Sequence, residues 1–223
     1  MQPLEQHEKF EIEVLHFLKR KKLLEKLVFG GGTMLRLCHD LNRYSMDIDL
    51  YFKKMMDHDY FYEKIIQEIK ALYEITDNKN KFNTILVELR HKNYPRRLKI
   101  EINKKTIYSI YTQSIAFSQY STYQVAVDTI PLDQMISNKI KALKNRNEIR
   151  DAFDIEFLIR RGVNVSLDGD EAEKILKILK KFSKKDFNVK LGSLLSPEIR
   201  TYYRQNRFHY LENIMRNIAT GQV

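Results

Sequence analysis

Two aspartates, Asp47 and Asp49, stand two residues apart in the run "RYSMDIDLYF". Alternate residues of a strand share a face. Both carboxylates therefore project together with Ser45, while Ile48 and Leu50 point the other way. Paired carboxylates repel unless a cation joins them. Mg2+ suits that role, because it takes hard oxygen ligands and links carboxylates to substrate phosphates. The competing reading is a solvent-facing strand with two surface acids. Just upstream, "FGGGTMLRL" holds three of the chain's seven glycines. Glycine lets a backbone approach a ligand closely, and a helix opening directly after it turns free N–H groups outward, which suits phosphate. Gly31, Gly32 and Thr33 read as a phosphate cradle, although a tight turn without a ligand has the same pattern. Gly30 has no chemical role in this reading beyond accommodating the backbone.

A two-metal site usually requires a third carboxylate. In "RLKIEINKK", Leu98, Ile100 and Ile102 alternate with Lys99, Glu101 and Asn103, so Glu101 stands on the polar face. Glu88 in "TILVELRH" competes with it, and spacing alone does not choose between them. Further along, Leu132, Ile136, Ile140 and Leu143 form an apolar helical stripe, and Lys139 falls inside it. A lysine there needs an anionic partner or a cavity, unless its stem packs and its amine escapes to water. Asp151 lies three residues before Asp154 and is placed to orient Lys139 or Arg146. Asp154 lies four residues after Arg150, so it either supports the site or forms a plain Arg150–Asp154 helix pair.

Positioning these groups takes both strands and helices. Periodicity predicts helices over 8–27, over a short stretch opening at Thr33, and over 61–72, 132–144, 149–161, 170–182 and 197–218. It predicts strands over 45–52, 84–90, 98–103 and 125–129. The order implies an α+β fold: a mixed β-sheet flanked by helices over residues 1–130, then a helical part over 131–223. The tail "RTYYRQNRFHYLENIMRN" interleaves Arg200, Arg204 and Arg207 with Tyr202, Tyr203, Phe208 and Tyr210. Such a segment is either an RNA-binding face or an amphipathic core helix.

The chain has 223 residues and a formal net charge of +10, which favours polyanionic partners. Cys38 is the only cysteine, which excludes an intramolecular disulfide and a cysteine-based metal cluster. No apolar run approaches the roughly 20 residues of a membrane span. The first residues lack a signal-peptide pattern, and a reducing cytoplasm is the expected location.

Taken together, "FGGGTMLRL", "RYSMDIDLYF", "RLKIEINKK" and "LDQMISNKIKALKNRNEIRDAFDIEFLI" resemble the AbiEii family of nucleotidyltransferase toxins, within the DNA polymerase β-like superfamily. The resemblance covers roughly residues 27–160. It implies a nucleotidyltransferase-type sheet, with Gly31, Gly32 and Thr33 on the triphosphate and Ser45 beside it. It implies Asp47, Asp49 and Glu101 on two Mg2+ ions, with Mn2+ as a substitute. Lys139 and Asp151 match the family's later functional lysine and aspartate, Asp154 completes the "RDxxD" pattern, and Arg146 and Arg150 support it. "RDAFDIEFLI" departs from the tyrosine-containing "DLYFLL" ending common in that helix. The implied reaction transfers a nucleotide from an NTP to RNA, with the tRNA 3′ end as the expected acceptor, and releases pyrophosphate. A cognate antitoxin is the implied partner. The rival readings are transfer to a small molecule or protein side chain, and a non-catalytic nucleotide or nucleic-acid binder.

Overall fold

The computed structural model describes residues 1–106 and 111–221, and the chain divides into two compact units, Met1–Pro131 and Leu132–Val223. The first unit is α+β and the second is helical. Among the described residues, no helix is long and apolar enough to cross a membrane.

The first unit opens with α1 (Pro3–Arg20), where Pro3 occupies the first turn and Glu5 accepts from the Gln2 backbone N–H at 2.7 Å. The helix stops short of the expected residue 27, because Lys22 takes a positive φ of 58°. The chain then passes through a short 3-10 turn (Leu24–Lys26) into a strand that periodicity does not reveal, β1 (Leu27–Gly30). Its four residues are all buried, so it lacks the alternation that marks a half-exposed strand. After β1 come α2 (Gly31–His39), β2 (Asp47–Phe52), α3 (His58–Lys70), β3 (Glu74–Asn80), β4 (Thr84–Arg90), β5 (Leu98–Asn103), β6 (Thr112–Phe117) and β7 (Gln124–Thr129).

These strands form one mixed seven-stranded sheet in the order β3-β4-β5-β2-β1-β7-β6. β1 runs antiparallel to β2 and parallel to β7, and β2 runs parallel to β5. The central strands alternate in burial: Ile48, Leu50 and Phe52 of β2 and Leu98, Ile100 and Ile102 of β5 are fully buried. Their opposite face carries Asp47, Asp49, Lys99 and Glu101, all partly exposed. Helix α1 packs on β5 and β7, α2 on β1, β2 and β6, and α3 on β3. The two sheet edges, β3 and β6, are also absent from the periodicity. Both are largely exposed, since an edge strand need not bury a full face.

The second unit comprises α4 (Leu132–Arg146), α5 (Ile149–Arg160), α6 (Gly169–Lys181), a π-helical turn (Asp186–Leu191), a 3-10 turn (Gly192–Leu194), α7 (Pro197–Asn206) and α8 (His209–Thr220). The helix expected over 197–218 is broken at Arg207, which has φ 48° and ψ −136°. The break lets Phe208 enter an aromatic core, with its ring 5.3 Å from Phe187, 5.6 Å from Tyr203 and 6.1 Å from Phe182. Tyr203 and Phe208 therefore serve the core, while Tyr202 is exposed.

Glu156 ties α5 to α7 and α8. Its carboxylate accepts from the Tyr203 hydroxyl at 3.0 Å, the Leu211 N–H at 3.4 Å and Arg160 Nε at 3.1 Å. Burial nonetheless raises its carboxyl above the usual range. Glu156→Ala orphans the Tyr203 hydroxyl and the Leu211 N–H. At roughly 1–3 kcal/mol per orphaned buried group, the melting temperature should drop by about 5–15 °C. Glu156→Gln, which keeps an acceptor oxygen, should lose clearly less in the same thermal scan. Equal losses would contradict this role.

Candidate active site

The turn from β1 into α2 and the strand β2 meet at one point. Register pairs Gly30 with Asp49 across the antiparallel ladder. The next residue, Gly31, has φ +73°, a conformation that L side chains rarely adopt. A Cβ on Gly31 would lie 1.9 Å from Asp49 Oδ2. The Asp49 carboxylate thus lies directly against the first residue of α2, where the helix has unpaired N–H groups. A Cβ on Gly32 would meet Arg43 Nη2 at 2.6 Å and Ser45 Oγ at 2.8 Å, so those side chains crowd the same helix end. Gly30 is constrained as well: a Cβ there would strike the Ile130 side chain at 2.7 Å and the Tyr51 ring at 2.9 Å. Its role is packing.

Thr33 enters this turn through its backbone alone. Its side chain is buried, and its hydroxyl donates to the Asp47 carbonyl at 2.5 Å, with Glu11 Oε1 at 3.3 Å. On α1, His7 Nε2 bonds the Met46 carbonyl at 3.0 Å. The two carbonyls at the start of β2 are therefore held from behind by α1 and α2. Burial, reinforced by Glu8, pushes the Glu11 carboxyl well above the usual range, and burial lowers the His7 imidazole.

The third carboxylate is placed by sheet order. β5 lies beside β2 in parallel, with Asp49 opposite Glu101 and Asp47 opposite Lys99. Neighbouring strands lie about 4.8 Å apart, so Glu101 stands next to Asp49. Glu88 is one strand further out, and its carboxylate is held by the Thr76 hydroxyl at 2.6 Å and Arg97 Nη1 at 2.9 Å. Those two hydrogen bonds lower the Glu88 carboxyl. Among the described residues, no three His, Cys, Asp or Glu side chains converge tightly enough to enclose an ion. The Lys99 ammonium lies between the acids, 2.8 Å from Glu101 Oε1 and 3.4 Å from Asp47 Oδ2. Partial burial alone would lower Lys99, but the hydrogen bond to Glu101 and the charge of Asp47 outweigh it and raise its pKa.

The helical unit gathers the other expected residues. Lys139 is 7% exposed, and its ammonium lies 2.6 Å from Asp154 Oδ2 and 3.6 Å from Asp151 Oδ1. Arg146 grips Asp151 with two parallel hydrogen bonds of 2.7 Å, from Nε and Nη2. Both aspartates are fully buried. Asp154 thus pairs with the lysine of α4, and Arg150 makes no ion pair among the described residues. Lys139 does not snorkel.

Arg43 and Lys99 are two residues at the acidic site that spacing does not single out. Arg43 is buried, and its Nη1 donates to the Tyr44 carbonyl at 2.9 Å. Its only signal is a cation two residues before Ser45. Lys99 shows one in the alternation of "RLKIEINKK", which puts it on the Glu101 face.

A search of curated protein sequences found no significant match. The solved structure of JHP933 from Helicobacter pylori is 18% identical over 96% of this chain and 96% of that one, with a TM-score of 0.55. MenT4, a nucleotidyltransferase toxin from Mycobacterium tuberculosis, is 14% identical over 97% of this chain and 91% of that one, with a TM-score of 0.50. At these identities the likeness is one of fold. The family model described as "Nucleotidyl transferase AbiEii toxin, Type IV TA system" matches residues 15–218, a span that includes the glycine turn, the acidic strands and the lysine helix. The chain belongs to the AbiEii family of nucleotidyltransferase toxins.

Proposed function

We propose that the protein transfers a nucleoside monophosphate from an NTP to a hydroxyl of RNA, with the tRNA 3′ end as acceptor, and releases pyrophosphate. The observation that carries this reading is the Asp49 carboxylate packed on Gly31, where α2 begins. A phosphate-binding helix end and a metal-ligating acid are thereby neighbours. The donor set fits a divalent ion, because Asp47, Asp49 and Glu101 offer hard carboxylate oxygens on one sheet face. The Lys99 ammonium among them supports a preference for positive charge at that place. When bound, Mg2+ or Mn2+ would supply charge neutralisation at the phosphates and a more acidic acceptor hydroxyl.

The chain's own residues do the rest. The backbone N–H groups of Gly31, Gly32 and Thr33 receive phosphate oxygens, and Ser45 adds a hydroxyl beside Gly32. The acceptor oxygen attacks the α-phosphorus in line, and the bond to the bridging oxygen of pyrophosphate breaks. Glu101 takes the hydroxyl proton. Lys139, held by Asp151 and Asp154 within the helical unit, is the cation that the family pattern assigns to the phosphate charge. Arg146 keeps Asp151 oriented, and Arg150 flanks it. Membership of a type IV toxin–antitoxin family implies a cognate antitoxin.

Incubating the protein with Mg2+, each labelled NTP and total tRNA tests the reaction. Label should appear in RNA, and Asp49→Asn should reduce the rate by on the order of 10^3-fold. Label in protein or in a small molecule instead would refute the RNA acceptor.

Gly31→Ala forces a methyl into the Asp49 carboxylate, whereas Gly162, also at positive φ (+80°), has open space around it. Both alanine variants should lose about 1–2 kcal/mol from backbone strain, and Gly31→Ala should lose more because of the clash with Asp49. Only Gly31→Ala should abolish transfer, as a side-by-side melting and activity comparison would show.

Lys99→Met removes the cation that competes for Asp47 and Glu101. Mn2+ affinity, read by the free-ion paramagnetic resonance signal, should tighten by about three- to tenfold. An unchanged affinity would mean that Lys99 does not compete with the ion.

A further inference from the structure

The helical unit contains an open polar pocket of about 410 Å3, lined by Phe187 and by the exposed side chains of Lys184, Asn188, Arg204 and Arg207. Its chemistry is one-sided: three cations and an amide surround it. Among the described residues, Lys184, Arg204 and Arg207 have no carboxylate partner. Asp186, the acid of the π-helical turn, is spent on Lys190 at 2.9 Å and on the N–H and hydroxyl of Ser183 at 2.8 and 2.7 Å. Among the described residues, these three cations are therefore not held in ion pairs.

The pocket is also built with some strain. Phe187 and Asn188 lie on the π-helical turn, a distortion that recurs at functional sites. Arg207 takes a positive φ of 48° outside any helix, an uncommon conformation for a residue with a side chain. Its guanidinium stands 5.6 Å over the Phe187 ring, which is fixed in turn by Phe182 and Phe208. The aromatic floor limits the motion of that cation. Guanidinium groups bind phosphate oxygens in a two-pronged manner, and the volume accommodates a phosphate together with its sugar.

We infer that this cavity is a docking site for a phosphate of the RNA backbone, separate from the glycine turn and serving to hold the acceptor strand. The inference rests on the RNA-acceptor reading. RNA is favoured over an acidic protein segment because the proposed acceptor itself brings a phosphate backbone to the protein, and three exposed cations on one pocket suit such a polyanion.

The test uses the full chain and 5′-fluorescent tRNA, with anisotropy followed over a salt series. Lys184→Gln and Arg204→Gln are compared with wild type after thermal melting confirms that each is folded. Each substitution should weaken RNA binding by about three- to tenfold and make the log–log salt slope about one unit shallower. NTP affinity should stay unchanged. In the transfer assay KM for tRNA should rise with kcat preserved. RNA binding equal to wild type in both variants would overturn the docking site while leaving the acceptor reading intact. A wild-type protein that binds no RNA would overturn both. A poly-glutamate peptide that competes as well as RNA at equal ionic strength would reassign the pocket to a protein partner and so overturn it.

Discussion

Asp49 leaves no room at Gly31 for anything larger than a hydrogen. The carboxylate oxygen occupies the place of the missing Cβ, and the glycine takes a backbone conformation that a substituted residue would resist. Much of the first unit serves that contact. β1 must lie between β2 and β7 to bring Gly30 opposite Asp49. The Thr33 hydroxyl and the His7 ring must hold the Asp47 and Met46 carbonyls so that β2 starts in register. A one-residue slip would turn both aspartates into the core. The positive end of the α2 dipole then faces a negative group, which offsets part of the cost of crowding Asp47, Asp49 and Glu101 together.

Lysines manage the remaining charge in each unit, in different ways. Lys99 is partly exposed and bridges Asp47 and Glu101 at the sheet surface, where water screens it and lets it move. Lys139 is nearly buried and locked by two fully buried aspartates, one of which is held again by Arg146. Removing one member of such a buried group strands the others without solvent. The first arrangement suits a cation that must yield its place. The second suits a cation whose position must not drift.

Much of this was legible in the sequence where burial is one-sided. β2 and β5 alternate cleanly, so Asp47, Asp49 and Glu101 could be assigned to a polar face from spacing, and the lysine in the stripe of α4 announced a buried partner. Pairing was not legible. Glu101 and Glu88 have the same alternation, and only the strand order separates them. β1 is buried on both faces and β3 and β6 are sheet edges, so none of the three shows a period. Thr33 looked like a phosphate ligand, yet its hydroxyl turns inward to β2. The break at Arg207 follows from the pull of Phe208 into an aromatic cluster in which Phe182 and Phe187 are distant in sequence.

The most direct measurement is a crystal structure of the protein with Mg2+ and a non-hydrolysable NTP analogue. The triphosphate should lie on the backbone of Gly31 to Thr33, with ions touching Asp47 and Asp49 and the Lys99 ammonium moved off Asp47. A nucleotide bound elsewhere, with Asp49 still packed on an empty glycine turn, would contradict the assignment of this turn and these acids to one site.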